Sequence, residues 1–195
     1  MKKLSLITAV AFATLLVSFK LVENTTWSLD PPHARLGFST THLMVSDIEG
    51  FFKVFQATVT APNADFTDAV VTMSADVSSV STDNDQRDTH LKSPDFFDAT
   101  KYPFIEFKST SFKPTKVTGT YEVKGNLTIH GITIPITLTA FARTGTNPMG
   151  RKITVGFKIS GKINRSDFGI GGSIPTAIVG EEVAIFANAE FVVES

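Results

Sequence analysis

The chain has 195 residues, 42% of them hydrophobic and only 19% charged, which allows one sizeable apolar core and at most two small domains. Its 18 Lys and Arg nearly balance 19 Asp and Glu, so no long-range field attracts a phosphate backbone, which argues against nucleic-acid binding. Cysteine is absent, which excludes disulfides, thiolate catalysis, thiolate metal sites and a lipid-modified cysteine.

Lys2 and Lys3 precede an uncharged, mostly apolar run from Leu4 to Phe19. This is the layout of a secretory signal peptide over residues 1–20. Ala11-Phe12-Ala13 is the best small-x-small cleavage site, giving a cut after residue 13, early in the apolar run. An uncleaved anchor is the alternative, although the run is short of the ~20 residues a membrane span needs. Export to the periplasm or the cell exterior is expected, with no transmembrane segment left after processing. Residues 25–195 are read as one domain.

Within that domain, apolar and polar residues alternate with the period of half-buried strands. Strands are expected at 28–41, 50–61, 69–77 and 104–112. Between Lys116 and His130 the alternation is continuous: Val117, Gly119, Tyr121, Val123, Gly125, Leu127 and Ile129 share one face. Gly131 then serves as a tight connection. The next runs cover 132–143, 152–163 and 183–193, which makes about eight strands. Turn chemistry separates them at Pro62-Asn63-Ala64-Asp65, Lys113-Pro114 and Gly145-Thr146-Asn147-Pro148. One segment breaks the rhythm: Ser81 or Thr82 is expected to cap a helix that ends near Leu91, before Pro94. A short helical turn is expected near His42 to Val45.

Long antiparallel strands with one apolar face form either a two-sheet sandwich or a closed barrel. Runs of about 12 residues exceed the usual ~5–6. At ~3.4 Å per residue, tilted by ~40°, they span a barrel ~30 Å tall. The expected fold is therefore all-β: an extended, eight-stranded antiparallel, lipocalin-like barrel with one short helix closing an end.

The inward faces make the candidate ligand-binding surface. It comprises Phe38, Phe55, Ala57, Val59, Gly119, Tyr121, Val123, Gly125, Leu127, Ile136, Leu138, Val155, Phe157, Ile159, Ile185, Ala187 and Ala189. The small residues among them leave two readings open. They either relieve curvature beside bulky Phe or leave an elongated void. His33, Phe96 and Phe97 are candidates for the barrel mouth or a ligand head group.

Arg87, Asp88 and His90 bring both signs of charge beside an imidazole, as an acid–base site would. The structural reading is a hydrogen-bonded latch, with Phe96 and Phe97 inserted in the mouth. His33, His42, His90 and His130 form no H-x-x-x-H pattern, so no metal site is expected. Gly169-Ile170-Gly171-Gly172-Ser173 lacks the third Gly of a dinucleotide loop and is read as a loop at the mouth.

The ordered motifs Trp27-Ser28-Leu29-Asp30-Pro31-Pro32-His33, Ile48-Glu49-Gly50-Phe51-Phe52, Asp85 to Asp98 with Tyr102 to Ser109, Gly125 to Gly131, and Arg165-Ser166-Asp167-Phe168-Gly169 resemble the YceI-like proteins. The similarity runs from Trp27 to the C-terminus. One departure is Ala34, where the family usually has Ser or Thr. The resemblance implies a lipocalin-like barrel in the periplasm or outside the cell, holding a polyisoprenoid or similar long-chain lipid. No other cofactor and no catalysis are expected. Lipid carriage or storage is the leading expectation. The alternatives are an enzyme acting on a lipid through Arg87, Asp88 and His90, and a ligand-free, stress-related barrel. The oligomeric state stays open, a dimer included.

Overall fold

The computed structural model describes residues 24–146, 148 and 153–193; the expected signal peptide lies outside them. The strands are β1 (Thr25–His42), β2 (Ser46–Phe52), β3 (Phe55–Ala61), β4 (Val70–Asp76), β5 (Val80–Ser81), β6 (Phe104–Pro114), β7 (Thr120–Ile129), β8 (Ile132–Thr146), β9 (Ile153–Asn164) and β10 (Val179–Val193). One helix, α1 (Asp85–Lys92), lies between β5 and β6. All ladders are antiparallel, and β10 returns to pair with β1 from Trp27↔Val193 to His42↔Val179. That pairing closes the sheet and decides for a barrel over a sandwich.

Ten segments make eight staves. β2 pairs with the second half of β1 and β3 with its first residues, so β2 and β3 are one stave broken at Lys53 and Val54. β5 pairs with β2 and β4 with β3, so β4 and β5 are the neighbouring stave, broken by a 3-10 turn at Val77–Ser79. The two breaks are tied together. Lys53 N–H donates to Ser79 O (3.2 Å), Val54 N–H to Ser79 Oγ (3.0 Å) and Asp76 N–H to Val54 O (2.9 Å). Backbone groups released from the ladder are satisfied across the kink, so a single expected strand at 50–61 becomes two segments.

Two local expectations are corrected. The helix is capped by Asn84, whose side chain accepts from Arg87 N–H (2.9 Å), not by Ser81 or Thr82. Val80 and Ser81 are held in the sheet opposite Phe52 and Phe51, so the helix starts only after Asp83 reverses the chain at φ 58°. The expected helical turn at His42–Val45 is a hairpin connection with Leu43 and Met44 in left-handed conformation (φ 52° and 58°).

The barrel has two unlike ends. At the lower end the loop between β3 and β4 folds under the staves and inserts Phe66, which is 3% exposed. Phe66 packs against Trp27 and Phe157, and Phe157 in turn meets Phe112 and Phe191 edge-on. Tyr121 stacks on Phe112 at 4.8 Å, and its hydroxyl donates to Asp65 O (2.6 Å). At the upper end lie α1, the loop that follows it, the β7–β8 turn, and the segment from Arg165 to Ile178.

Candidate functional site

Along the barrel axis run two apolar chambers, the upper of about 130 Å³ and the lower of about 100 Å³. Leu36, Met73, Leu127 and Ile185 line both and form the constriction between them. Neither chamber reaches the ~300 Å³ at which small-molecule pockets usually begin. The wider concavities, of about 420 and 670 Å³, are open grooves on the outer wall, with polar and charged residues in their lining.

The lower chamber is lined by Phe55, Ala57, Val123, Ile136, Leu138, Ile159, Ala187 and Ala189 of the sequence-derived set, besides the shared Leu127 and Ile185. Phe38, Phe96 and Phe97 line the upper one. Val59 and Val155 are buried in the wall, and Tyr121 and Phe157 belong to the lower aromatic plug; none of the four faces a chamber.

Three placements differ from the sequence reading. Gly119 sits in the β6–β7 turn at φ 73°, because β7 starts only at Thr120. Gly125 does face inward, but a Cβ there would overlap the ring of Phe107. Its missing side chain is filled by protein rather than left as a void, and it lines neither chamber. His33 lies on neither the mouth nor the inner wall. β1 bulges outward between Leu29 and Ala34, and the extruded Asp30–His33 places the imidazole on the outer surface. Two consecutive prolines, which cannot donate to a ladder, account for the bulge. There His33 Nδ1 lies 2.9 Å from Asp30 Oδ2, and the carboxylate raises the imidazole pKa above its ordinary value, mainly through that hydrogen bond. Glu190 is close enough that one ligand atom from each of the three residues lies within 4.8 Å of the others.

The helix cluster is a latch built through Thr82. Asp88 is 8% exposed and its carboxylate accepts from Thr82 N–H (2.8 Å) and Oγ1 (2.6 Å). Arg87 Nε and Nη2 donate to Thr82 Oγ1 and Thr82 O. His90 Nε2 lies 3.2 Å from Asp95 Oδ2, and its ring meets Phe96 edge-on at 4.9 Å. None of Arg87, Asp88 and His90 lines a chamber; from α1 only Leu91 does.

The upper lid has a centre that sequence reading did not single out. Arg165, 4% exposed, lies in a 3-10 turn at the end of β9 and donates to the backbone oxygens of Ile170, Gly171, Ile174, Val179 and Gly180. These bonds draw the Gly169–Ser173 loop over the upper chamber and bury Ile170 in its lining. Glu181 accepts from both Ser166 N–H and Ser166 Oγ, which holds its carboxyl below the usual range, and approaches Arg165 Nε to 4.0 Å. His130 is half-buried and packs edge-on against Tyr102 at 4.6 Å.

Comparison with known proteins places this geometry in a family. A UPF0312 protein of Staphylococcus aureus strain bovine RF122 is 36% identical over 172 residues, covering 86% of this chain and 97% of that protein. The crystal structure of Burkholderia cenocepacia BcnA superposes with a TM-score of 0.74 at 27% identity, covering 83% and 98% of the two chains. A polyisoprenoid-binding domain from Saccharophagus degradans, implicated in plant cell wall breakdown, shares the fold at a TM-score of 0.62 and 16% identity, covering 86% and 98%. The YceI-like domain profile matches residues 27–191, and the chain belongs to that family.

Proposed function

We propose that the protein holds a long-chain isoprenoid or similar lipid inside the barrel, as a carrier or store in the periplasm or outside the cell, without transforming it. The observation that carries this reading is the pair of axial chambers, whose walls are apolar apart from Thr40 and Arg165. Each CH₂ withdrawn from water into such a wall contributes ~0.8 kcal/mol, so a long chain gains affinity with every unit buried. The Saccharophagus degradans relative, described as polyisoprenoid-binding, supports the same class of ligand. The basic start and apolar run of residues 1–20 support export. The latch geometry supports binding over catalysis, because Arg87, Asp88 and His90 do not face the interior.

One observation favours a second reading, a ligand-free barrel: the chambers are small. Under the lipid reading the chambers merge on loading at the constriction, where the flexible Met73 side chain repacks, and the upper lid stays closed over the bound chain. Protein purified without detergent and extracted with organic solvent distinguishes the two. The expected result is one long-chain lipid per barrel by mass spectrometry, unchanged in mass after incubation. Repeated extracts with no lipid, and no uptake of added prenol, would establish the ligand-free barrel instead.

A further inference from the structure

Among the described residues, Arg165 is the only charged one in the lining of the upper chamber, and none that is charged lines the lower one. A guanidinium carries five N–H donors. In this fold Nε donates to Gly180 O (3.2 Å), Nη1 to Ile170 O (3.0 Å) and Gly171 O, and Nη2 to Ile174 O (2.7 Å) and Val179 O (3.2 Å). Every donor has a backbone partner. The charge is also met, since Glu181 Oε2 stands 4.0 Å from Nε. The other polar residue in the lining, Thr40, donates its hydroxyl hydrogen to Gly180 O at 3.2 Å, leaving only its oxygen to accept.

An anionic head group drawn into this space finds no free cation and no free donor in the lining. A phosphate monoester carries about −1.5 to −2 charge at neutral pH. Withdrawing such a charge from water without a counter-ion is strongly unfavourable. Recruiting Arg165 would strip five backbone carbonyls of its donors, those of Ile170 and Gly171 in fully buried bonds, and release the lid. A hydroxyl or amide head carries no charge to desolvate, and one with a donor meets the acceptor side of Thr40.

Building on the lipid-binding reading, we infer that the barrel selects long-chain lipids with a small uncharged head, such as an alcohol or a primary amide, and discriminates against the same chain bearing phosphate or diphosphate. The head is enclosed because Phe96, Phe97 and Ile170 cover the chamber; each is 6–8% exposed.

The test uses delipidated full-length mature protein and three probes of one chain length: geranylgeraniol, geranylgeranyl phosphate and geranylgeranyl diphosphate. Each is titrated below its micelle threshold and bound complex is read by native mass spectrometry. A head that stays in water is solvated equally before and after binding, so the affinity ratio reports burial of the head. The expected result is binding of the alcohol, with the diphosphate weaker by at least about tenfold, which corresponds to ~1.4 kcal/mol. Equal affinity, or tighter binding of the diphosphate, overturns the selectivity and leaves the lipid-binding reading standing. Failure of all three probes to bind overturns the lipid reading, and the selectivity with it.

Discussion

The two ends of the barrel are closed by different physics. The lower end is sealed with aromatic side chains: Trp27, Phe66, Phe112, Phe157 and Phe191 are each 7% exposed or less. The upper end is covered by Phe96, Phe97 and Ile170, but the segments that carry them are held by hydrogen bonds to backbone, with Arg165 gathering carbonyls of residues 170–180 and Thr82 gathering Arg87 and Asp88. Apolar packing has no direction and involves every stave around it, so the lower plug opens only when the barrel unfolds. A hydrogen-bonded loop is a local unit and can open while the sheet persists. The comparison predicts that a ligand exchanges through the upper end.

The plug gives the largest expected effect. Phe112 is 2% exposed and contacts Tyr121 and Phe157. Phe112→Ala is expected to cost ~3–5 kcal/mol. For a chain of this size each kcal/mol lowers Tm by ~2–4 °C. Urea denaturation should stay a single transition with its midpoint lowered. A loss of hydrogen-exchange protection confined to residues 62–69 would show that the lower end, too, is a local unit, and the contrast between the ends would fail.

The lid comes next. Arg165→Met keeps much of the apolar stem and removes the donors. Buried carbonyls left without partners cost ~1–3 kcal/mol each where water cannot reach them. The expected signature is a smaller Tm change than for Phe112→Ala, with amide protection lost over residues 165–180 and faster exchange of bound lipid. Global loss of protection at unchanged lipid exchange would assign Arg165 to the barrel wall rather than to its door.

Inner-wall positions sharpen the comparison further. Gly125→Ala is expected to cost ~1–3 kcal/mol by overpacking, because its Cβ would meet the ring of Phe107. Ala187→Leu points into the lower chamber, where free space takes up part of the added volume, and should cost less than Gly125→Ala while reducing bound lipid. Lipid per protein and Tm, measured on both variants, separate filled space from free space. If Ala187→Leu leaves lipid loading intact, the lower chamber is not part of the binding path.

These positions also show what the sequence could reveal. Alternation over 116–143, 152–163 and 183–193 places β7 to β10, half of the staves, because half-buried strands write a period of two directly into residue type. Breaks such as Lys53-Val54 carry no such mark, since they are satisfied by the backbone of a distant kink at residues 76–79. Gly125 and Ala187 look alike in the pattern. Only the three-dimensional position of Phe107 distinguishes a packed glycine from an alanine facing a chamber. Arg165 was visible as part of a motif, but its partners are main-chain oxygens, to which any residue type contributes equally. His33 was misplaced because the pattern gives no account of a bulge that moves four residues out of the wall.

The smallest effect belongs to that bulge, on the outer wall beside the lower plug and away from the lid. Asp30 raises the pKa of His33 above 6.5, with Glu190 adding to the shift. A raised folded-state value means that the protonated imidazole is stabilised by folding. Its contribution is complete below the unfolded value near 6.5 and fades as pH rises through the higher folded value. Raising the pH from about 6 to 8 should therefore remove a small increment of Tm from wild type that His33→Ala does not lose. The pair is solvent-exposed, so the increment should shrink further at ~1 M salt, where the Debye length falls to ~3 Å. Neither lipid loading nor exchange protection over residues 165–180 should change in His33→Ala, because the imidazole touches neither chamber nor lid. A change in lid protection on this substitution would mean that the outer wall and the mouth are coupled along β1 and β10, and the two ends of the barrel would no longer be independent.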